Sequence, residues 1–398
     1  MSPAALDLFR ALAARAQADG RPGPAALVGD WWGADAVIAP SLAVRAGLRP
    51  PDRPDRFWLG YLGFDVRGDD GPLPETAGGL TDGVLILRSG RWSWVDVAGA
   101  ACPDWVAGVL SSLRPGPDPR DARRTWSVAW TPPEREPHLA AVAACREAIA
   151  AGEVYQACIC TRFTGTLHGR AADYFADLAA ATKPAKAAFL GGEWGSVVSL
   201  SPESFLSRRH GTVTSSPIKG TVPLDVDPLV LAESGKDIAE NVMIVDLVRN
   251  DLGRVAVTGS VRVPELLTVV GAPGVWHLVS TVAADLPDAV GNHCLLEATF
   301  PPASVTGTPK IRAAELISQW EQFPRGVYCG AVGLAGPSGL LDLNVAIRTV
   351  QITPGGQTTL GVGGGITYDS VPEAEWQECL DKAAAIVSRT TSPELPLV

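Results

Sequence analysis

The sequence predicts an α+β protein with extensive antiparallel sheet, and two observations carry the prediction. Apolar segments of strand length come in pairs joined by short turns such as His210-Gly211 and Gly336-Pro337-Ser338-Gly339, not at regular βαβ spacing. Between the pairs lie segments with helical periodicity, several of them closed by a glycine.

Taken in order, Met1 to Gln17 carries Asp7 and Arg10 within its apolar positions, which predicts an amphipathic helix and not a signal peptide. Residues 20–113 alternate short apolar runs with Gly/Pro breaks, and Trp58 to Phe64 and Gly83 to Trp94 read as strands. Arg114-Pro-Gly-Pro-Asp-Pro-Arg120 has linker composition, which divides the chain into an N-terminal region, 1–120, and a larger region, 121–392. His138 to Ala151 is an Ala-rich helix stopped by Gly152; Val154 to Phe163 and Gly195 to Leu200 are strands. Glu203 to Arg208 and Thr212 to Ser216 form a hairpin that delivers a turn, Pro217-Ile-Lys-Gly-Thr221. Asp237 to Leu252 places Ile238, Val242 and Val245 on one helical stripe, with Gly253 as the stop. Asn292 to Phe300 and Lys310 to Gln322 are further helices, and Val327 to Leu334 and Leu340 to Ile352 a second hairpin. A strand from Thr358 runs into a Gly-rich loop, Gly361 to Gly365. A last helix follows from Pro372, opened by a capping box at Ser370-x-x-Glu373.

Composition narrows the function. The chain has 398 residues, 46% hydrophobic and 19% charged, with a net charge of −10, which is ordinary globular usage and argues against nucleic acid or an anionic membrane as partner. An anionic substrate must therefore be held by a local cationic cluster. No run of ~18 apolar residues offers a membrane span. Seven cysteines, an odd number scattered through the chain, suggest reduced thiols and a cytoplasmic protein. Cys158 and Cys160 share one face of a strand, where core packing outweighs metal binding.

Several residues stand out chemically. Lys219 sits between Pro217 and Gly220, with Glu203 upstream and Glu240 downstream. On the last helix Glu375, Glu378 and Lys382 fall within roughly 60° of one another at 100° per residue. Read alone, this is a solvated face with an i,i+4 pair. The preceding Gly363-Gly364-Gly365 brings backbone N–H groups within reach of a carboxylate, or is simply a bend. Arg348 ends an alternating strand as either a surface residue or a carboxylate clamp. Glu240 and Glu378, without a His/Cys cluster, are hard oxygen donors suited to Mg²⁺. His277, on an apolar strand, reads equally as a satisfied core histidine or a catalytic one.

Residues 136–390 resemble the chorismate-binding fold shared by anthranilate synthase component I, aminodeoxychorismate synthase component I, isochorismate synthases and salicylate synthases. The matching stretches begin with Gly152-Glu-Val-Tyr-Gln156, Ser201-Pro-Glu203, Pro217-Ile-Lys-Gly-Thr221, Ala239 to Asp251 and His277-Leu-Val-Ser280. They continue through Thr306-Gly-Thr-Pro-Lys310, Gly326-Val-Tyr-Cys-Gly330, Ile347-Arg-Thr349, Gly363-Gly-Gly-Ile366 and Glu373 to Lys382. The resemblance implies a large antiparallel β-sandwich wrapped by helices, with the N-terminal region packed into the same body. It also implies a site in which Glu240, Glu375 and Glu378 hold Mg²⁺. Gln156, Gly220, Thr221, Thr306, Tyr328, Arg348, Gly363, Gly364, Gly365 and Lys382 would seat chorismate, with Lys219, Glu203 and His277 in the catalytic group. The Leu-Leu-Glu-Ser element that frames a bound tryptophan in relatives is absent from the N-terminal region.

Two positions speak to the branch. Water-adding members carry a lysine base where this chain has Gln156, and an amide cannot deprotonate water. Anthranilate-type members have a small residue where this chain has Lys219. The combination resembles aminodeoxychorismate synthase component I, and implies a covalent route. Lys219 attacks C2 of chorismate as the C4 hydroxyl leaves, and ammonia then adds at C4 and expels the lysine. The attacking amine must be neutral, a state favoured by burial beside Mg²⁺, Lys382 and Arg348. Glu203, the acid for the leaving hydroxyl, needs a raised pKa. No cysteine sits in a Gly-x-Cys-x-Gly elbow, so the resemblance implies a separate glutamine amidotransferase subunit as ammonia source. The product would feed p-aminobenzoate and folate synthesis or a specialised pathway. The alternatives are an anthranilate-type synthase and a chorismate-binding subunit without turnover.

Overall fold

The computed structural model describes residues 3–64, 71–113 and 124–389; the linker-like stretch 114–120 lies outside them. Two antiparallel sheets face each other. The first runs in the order Gly307–Thr308, Gln156–His168, Gln357–Ile366, Thr349–Ile352, Gly195–Ser201, Lys186–Gly192, Ala25–Trp31, Ala34–Ala39, Gly83–Arg88, Arg91–Asp96, and Ser127–Thr131 also pairs with Gln156–His168. The second runs Ile218–Pro223, Val275–Asp285, Thr212–Ser216, Ser204–Arg209, Leu340–Val345, Gly326–Gly336, Phe57–Phe64, Thr76–Thr81, Arg45–Ala46, with Arg262–Ala272 beside Val275–Asp285. The strands that precede residue 120 thus extend one end of each sheet, pairing with later strands through Ala25–Trp31 on Lys186–Gly192 and Phe57–Phe64 on Gly326–Gly336.

The alternating strands bury one face between the sheets, where Leu27, Trp31, Val37, Ala188 and Val197 of the first meet Leu59, Tyr61, Val332 and Leu334 of the second. Helices cover the outer faces. Pro3–Ala18 and Ala171–Thr182 pack on the first sheet through Phe9, Leu12, Phe175 and Leu178. Gly235–Gly253 and Asn292–Thr299 pack on the second through Ile244, Val248, Leu252 and Leu295. In Gly235–Gly253 this buried stripe is not the one read from the sequence: Val245 belongs to it, but Val242 is exposed and Ile238 only partly buried.

Five further local expectations are corrected. Gly83 to Trp94 is a tight hairpin, turned at Ser89 and Gly90, both at positive φ. Leu340 to Ile352 is not one strand. It leaves the second sheet after Val345 and joins the first at Thr349, with Arg348 at φ 50° in the crossing. Periodicity could not reveal the break, because every residue from Leu340 to Val345 is buried and neither a Gly nor a Pro marks the corner.

The stretch Pro217 to Thr221 is not a turn but the start of the strand Ile218–Pro223. Ile218 pairs with Val279 and Thr221 with His277, so one extra residue is accommodated as a bulge, with Gly220 at φ 79°. Gly361 to Gly365 is not a loop but strand interior, where Gly363, Gly364 and Gly365 pair with Cys160, Ile159 and Cys158. The last helix, Pro372–Val387, does begin with proline, but Val371 is its N-cap and no side chain caps it. Ser370 instead donates its hydroxyl to Glu375 Oε1 at 2.7 Å and accepts the Thr367 N–H.

Candidate active site

Close approach is why the Gly363–Gly365 strand lacks side chains. A methyl group on Gly363 would lie 2.6 Å from Cys160 Sγ, and one on Gly364 3.1 Å from Glu375 Oε2. On Gly365 it would lie 2.5 Å from Gln156 Nε2 and 3.2 Å from Lys219 Nζ. The glycines form a bed with two faces: the Lys219 amine and the Gln156 amide close on Gly365 from one, and Glu375, Glu378 and Lys382 close on Gly364 from the other.

Lys219 reaches this bed because the bulge re-aims its side chain. Its Nζ donates to the Ser304 carbonyl at 3.3 Å and lies 3.9 Å from Glu240 Oε2, with only 11% of the side chain exposed. Ser304 belongs to a short 3-10 turn, Ala303–Val305, and its side chain is close enough to the Glu203 carboxyl, which is 4% exposed, to pull its pKa down. Burial raises the Glu203 pKa, against the lowering pull of Ser304 and Lys219. A buried carboxyl whose pKa is raised is a better-matched proton donor than an exposed one.

Glu240 comes from Gly235–Gly253, and Glu375 and Glu378 from Pro372–Val387. Burial raises the Glu240 pKa, partly offset by Lys219 and Lys236. Glu378 is also desolvated, but Lys382 at 2.7 Å outweighs this and lowers its pKa. Lys382 Nζ in addition donates to the Gly363 carbonyl at 2.8 Å. Among the described residues no three His, Cys, Asp or Glu side chains are gathered closely enough to cage a metal. Glu240 and Glu375 nevertheless converge on one cation: Lys236 Nζ lies 3.1 Å from Glu375 Oε1 and 3.9 Å from Glu240 Oε1. An all-carboxylate donor set converging on a cation is the chemistry that Mg²⁺ accepts.

Thr221 Oγ1 lies 2.8 Å from His277 Nδ1 across the bulge. Burial, with Arg348 nearby, lowers the His277 pKa to about 4, so the ring is neutral at ordinary pH. Burial also lowers the Arg348 pKa. Gln156 is fully buried, yet neither atom of its amide has a hydrogen-bond partner among the described residues.

Two expected site residues lie deeper. Thr306 gives its hydroxyl to the Pro302 carbonyl at 2.9 Å, which makes it a brace for the Ser304 turn. Tyr328 is buried with its ring against Gly361, on the same face of the strand that Gly365 turns toward Lys219, and its hydroxyl lies 3.8 Å from Cys160 Sγ. Sequence reasoning missed Ser304 and Lys236. Nothing in Pro302-Ala-Ser-Val305 announces the first. The second was readable as the i−4 partner of Glu240.

A sandwich whose glycine strand gathers buried carboxylates and amines is the architecture of the chorismate-utilising enzymes, and the chain belongs to the chorismate binding enzyme family, whose model matches residues 37–388. It is 38% identical to aminodeoxychorismate synthase component 1 of Escherichia coli over 372 residues, 87% of this chain and 80% of that one. It is also 38% identical to anthranilate synthase component 1 of Streptomyces coelicolor, over 64% of this chain and 51% of that one. Anthranilate synthase component I from Streptococcus pneumoniae shares the fold, with a TM-score of 0.73 at 24% identity over 92% of this chain and 90% of that one.

Proposed function

We propose that the protein is the chorismate-aminating subunit of an aminodeoxychorismate synthase, converting chorismate and ammonia to 4-amino-4-deoxychorismate and water through a covalent adduct on Lys219. The observation that carries the reading is the placement of the Lys219 amine. It is nearly buried, aimed at the glycine bed, between the acid Glu203 and the carboxylate Glu240.

The ring would lie on Gly363 to Gly365, where side chains are excluded. Arg348, half-buried and without an acceptor among the described residues, and Lys382 are suited to its two carboxylates. Glu240, Glu375 and Glu378 would hold Mg²⁺, which when bound supplies positive charge to the substrate's ring carboxylate. The neutral Lys219 amine forms a bond to C2. Both ring double bonds shift, and the C4 oxygen departs as water with the Glu203 proton. Ammonia then bonds to C4, both double bonds shift back, and the C2–N bond breaks to release Lys219 as the neutral amine. The new C4 ammonium gives a proton to the Glu203 carboxylate, which restores both groups. His277, neutral and held by Thr221, supports the Lys219 strand and offers Nε2 as a polar contact.

Gln156 distinguishes this reading from hydration, since its amide cannot serve as a base for water. Ammonia is supplied by a glutamine amidotransferase subunit, consistent with the component naming of the relatives. The experiment is incubation with chorismate, Mg²⁺ and ammonium. A non-fluorescent product that an added lyase converts to p-aminobenzoate supports the reading. Direct appearance of fluorescent anthranilate replaces it with the anthranilate-type reaction. Chorismate binding without turnover leaves only a binding subunit.

A further inference from the structure

Lys236 has no role in the chemistry above, yet among the ion pairs of the described residues it is the cation that joins Glu240 to Glu375, while Lys219, equally close to Glu240, pairs with Glu240 alone. We infer that Lys236 is a tethered counter-ion, holding Glu240 and Glu375 together in the metal-free protein and leaving when Mg²⁺ binds. The inference rests on the assignment of these carboxylates to the metal.

Glu240 and Glu375 are 7% and 3% exposed and come from different helices, so without a cation between them two desolvated negative charges would repel. Lys236 Nζ supplies that cation at 3.9 and 3.1 Å. The same Glu375 Oε1 also accepts from Ser370, which keeps the carboxylate in place when the ammonium departs.

Lys236 and Mg²⁺ are mutually exclusive on these atoms. Mg²⁺ takes oxygen donors at about 2.0–2.1 Å in octahedral geometry, which leaves no room for an ammonium bridging the same carboxylates. Departure requires only a side-chain rotation. Lys236 lies in the first turn of its helix, 47% of its side chain is exposed, and a methyl group on the preceding Gly235 would meet nothing within 4 Å. The half-exposed ammonium therefore swings into solvent while the helix stays packed. The site is pre-shaped in the metal-free state, and metal binding must overcome the tethered charge.

The test is calorimetric titration of the full chain with MgCl₂, in wild type and Lys236→Met, together with residue-resolved acetylation of lysines in wild type with and without Mg²⁺ at matched ionic strength. Thermal unfolding verifies that the variant is folded, and the acetylation arm needs no variant. Lys236→Met is expected to bind Mg²⁺ about tenfold more tightly, equivalent to ~1.4 kcal/mol. The Lys236 acetylation rate is expected to rise when Mg²⁺ is present. Unchanged affinity, or tighter binding without a rise in Lys236 acetylation, overturns the counter-ion role and leaves the metal assignment standing. If neither protein binds Mg²⁺, the metal assignment falls and the counter-ion role falls with it.

Discussion

Thr221 Oγ1 and His277 Nδ1 meet at 2.8 Å because a single extra residue at Lys219–Gly220 shifts the register of their strands. The same bulge aims Lys219 at the glycine bed, so backbone geometry and the position of the reactive amine are one feature. Gly220 makes the bulge affordable at φ 79°. Gly220→Ala is expected to cost about 1 kcal/mol from the left-handed backbone alone. A further loss should follow from contact with Asp237 Cγ, 2.9 Å from the new methyl. Chemical denaturation should show this loss, and turnover should fall by more than stability explains.

Gly364→Ala separates site shape from fold. Its methyl would lie 3.1 Å from Glu375 Oε2, 3.8 Å from Lys382 Nζ and 3.9 Å from Glu378 Oε1, all at the ends of side chains able to shift. We expect a folded protein with Mg²⁺ affinity weakened and the chorismate KM raised, each by roughly tenfold, or ~1.4 kcal/mol. Gly363→Ala should instead destabilise the fold, since the Ile159 carbonyl lies 2.6 Å away. Calorimetry and thermal unfolding of the two variants distinguish the outcomes.

Much of this was legible in the sequence. Periodicity located the helix Gly235–Gly253, and hairpin spacing located Ser204–Arg209 with Thr212–Ser216. The motifs carrying the family resemblance contain Lys219, Glu240, Glu375, Glu378 and the three glycines. What stayed hidden depends on contacts between distant segments. Gly363 to Gly365 read as a loop because a run of glycines looks the same whether it serves turning or close packing. Only the overlying Gln156, Lys219 and Glu375 tell them apart. Arg348 read as the end of a strand, since the strand before it is buried on both faces and the corner itself carries no Gly or Pro. Ser304, whose carbonyl accepts from Lys219, is brought there by a short 3-10 turn with no local signature.

Lys310 holds that turn from behind. Its Nζ donates to Asp251 at 2.6 Å and to the Thr299 and Pro301 carbonyls at 2.7 and 2.8 Å. Lys310→Met leaves Asp251 buried without its partner, a loss expected to reach about 3 kcal/mol or more. Adding Asp251→Asn should recover part of it, because the uncompensated charge is removed. A double-mutant cycle in denaturant measures the coupling, and additive losses would contradict the clamp.

Two buried histidines set the acid limb of stability. Burial lowers both His138 and His277 to about 4, against about 6.5 in an unfolded chain. On acidification the unfolded chain takes up these protons first. Stability is therefore full above about pH 6.5 and falls as pH drops toward 4, by up to about 3 kcal/mol for each ring. Replacing His277 with Asn should flatten part of this slope between pH 6.5 and 4, as followed by denaturation at stepped pH.

Glu203→Gln keeps the shape of the acid and removes its proton. The expected consequence is a fall in kcat of about 10²–10⁴ with little change in chorismate affinity. In wild type, kcat should decline as pH rises through the elevated Glu203 pKa, and that decline should be absent from the residual activity of the variant. Steady-state kinetics across pH tests both.

The most direct measurement is intact-protein mass spectrometry after rapid acid quench, with chorismate and Mg²⁺ present and ammonia withheld. The account predicts a species heavier by one chorismate less one water, mapped to Lys219, cleared when ammonium is added and missing from Lys219→Ala. Amination at an undiminished rate in Lys219→Ala, or turnover with no adduct at any quench time, would contradict it.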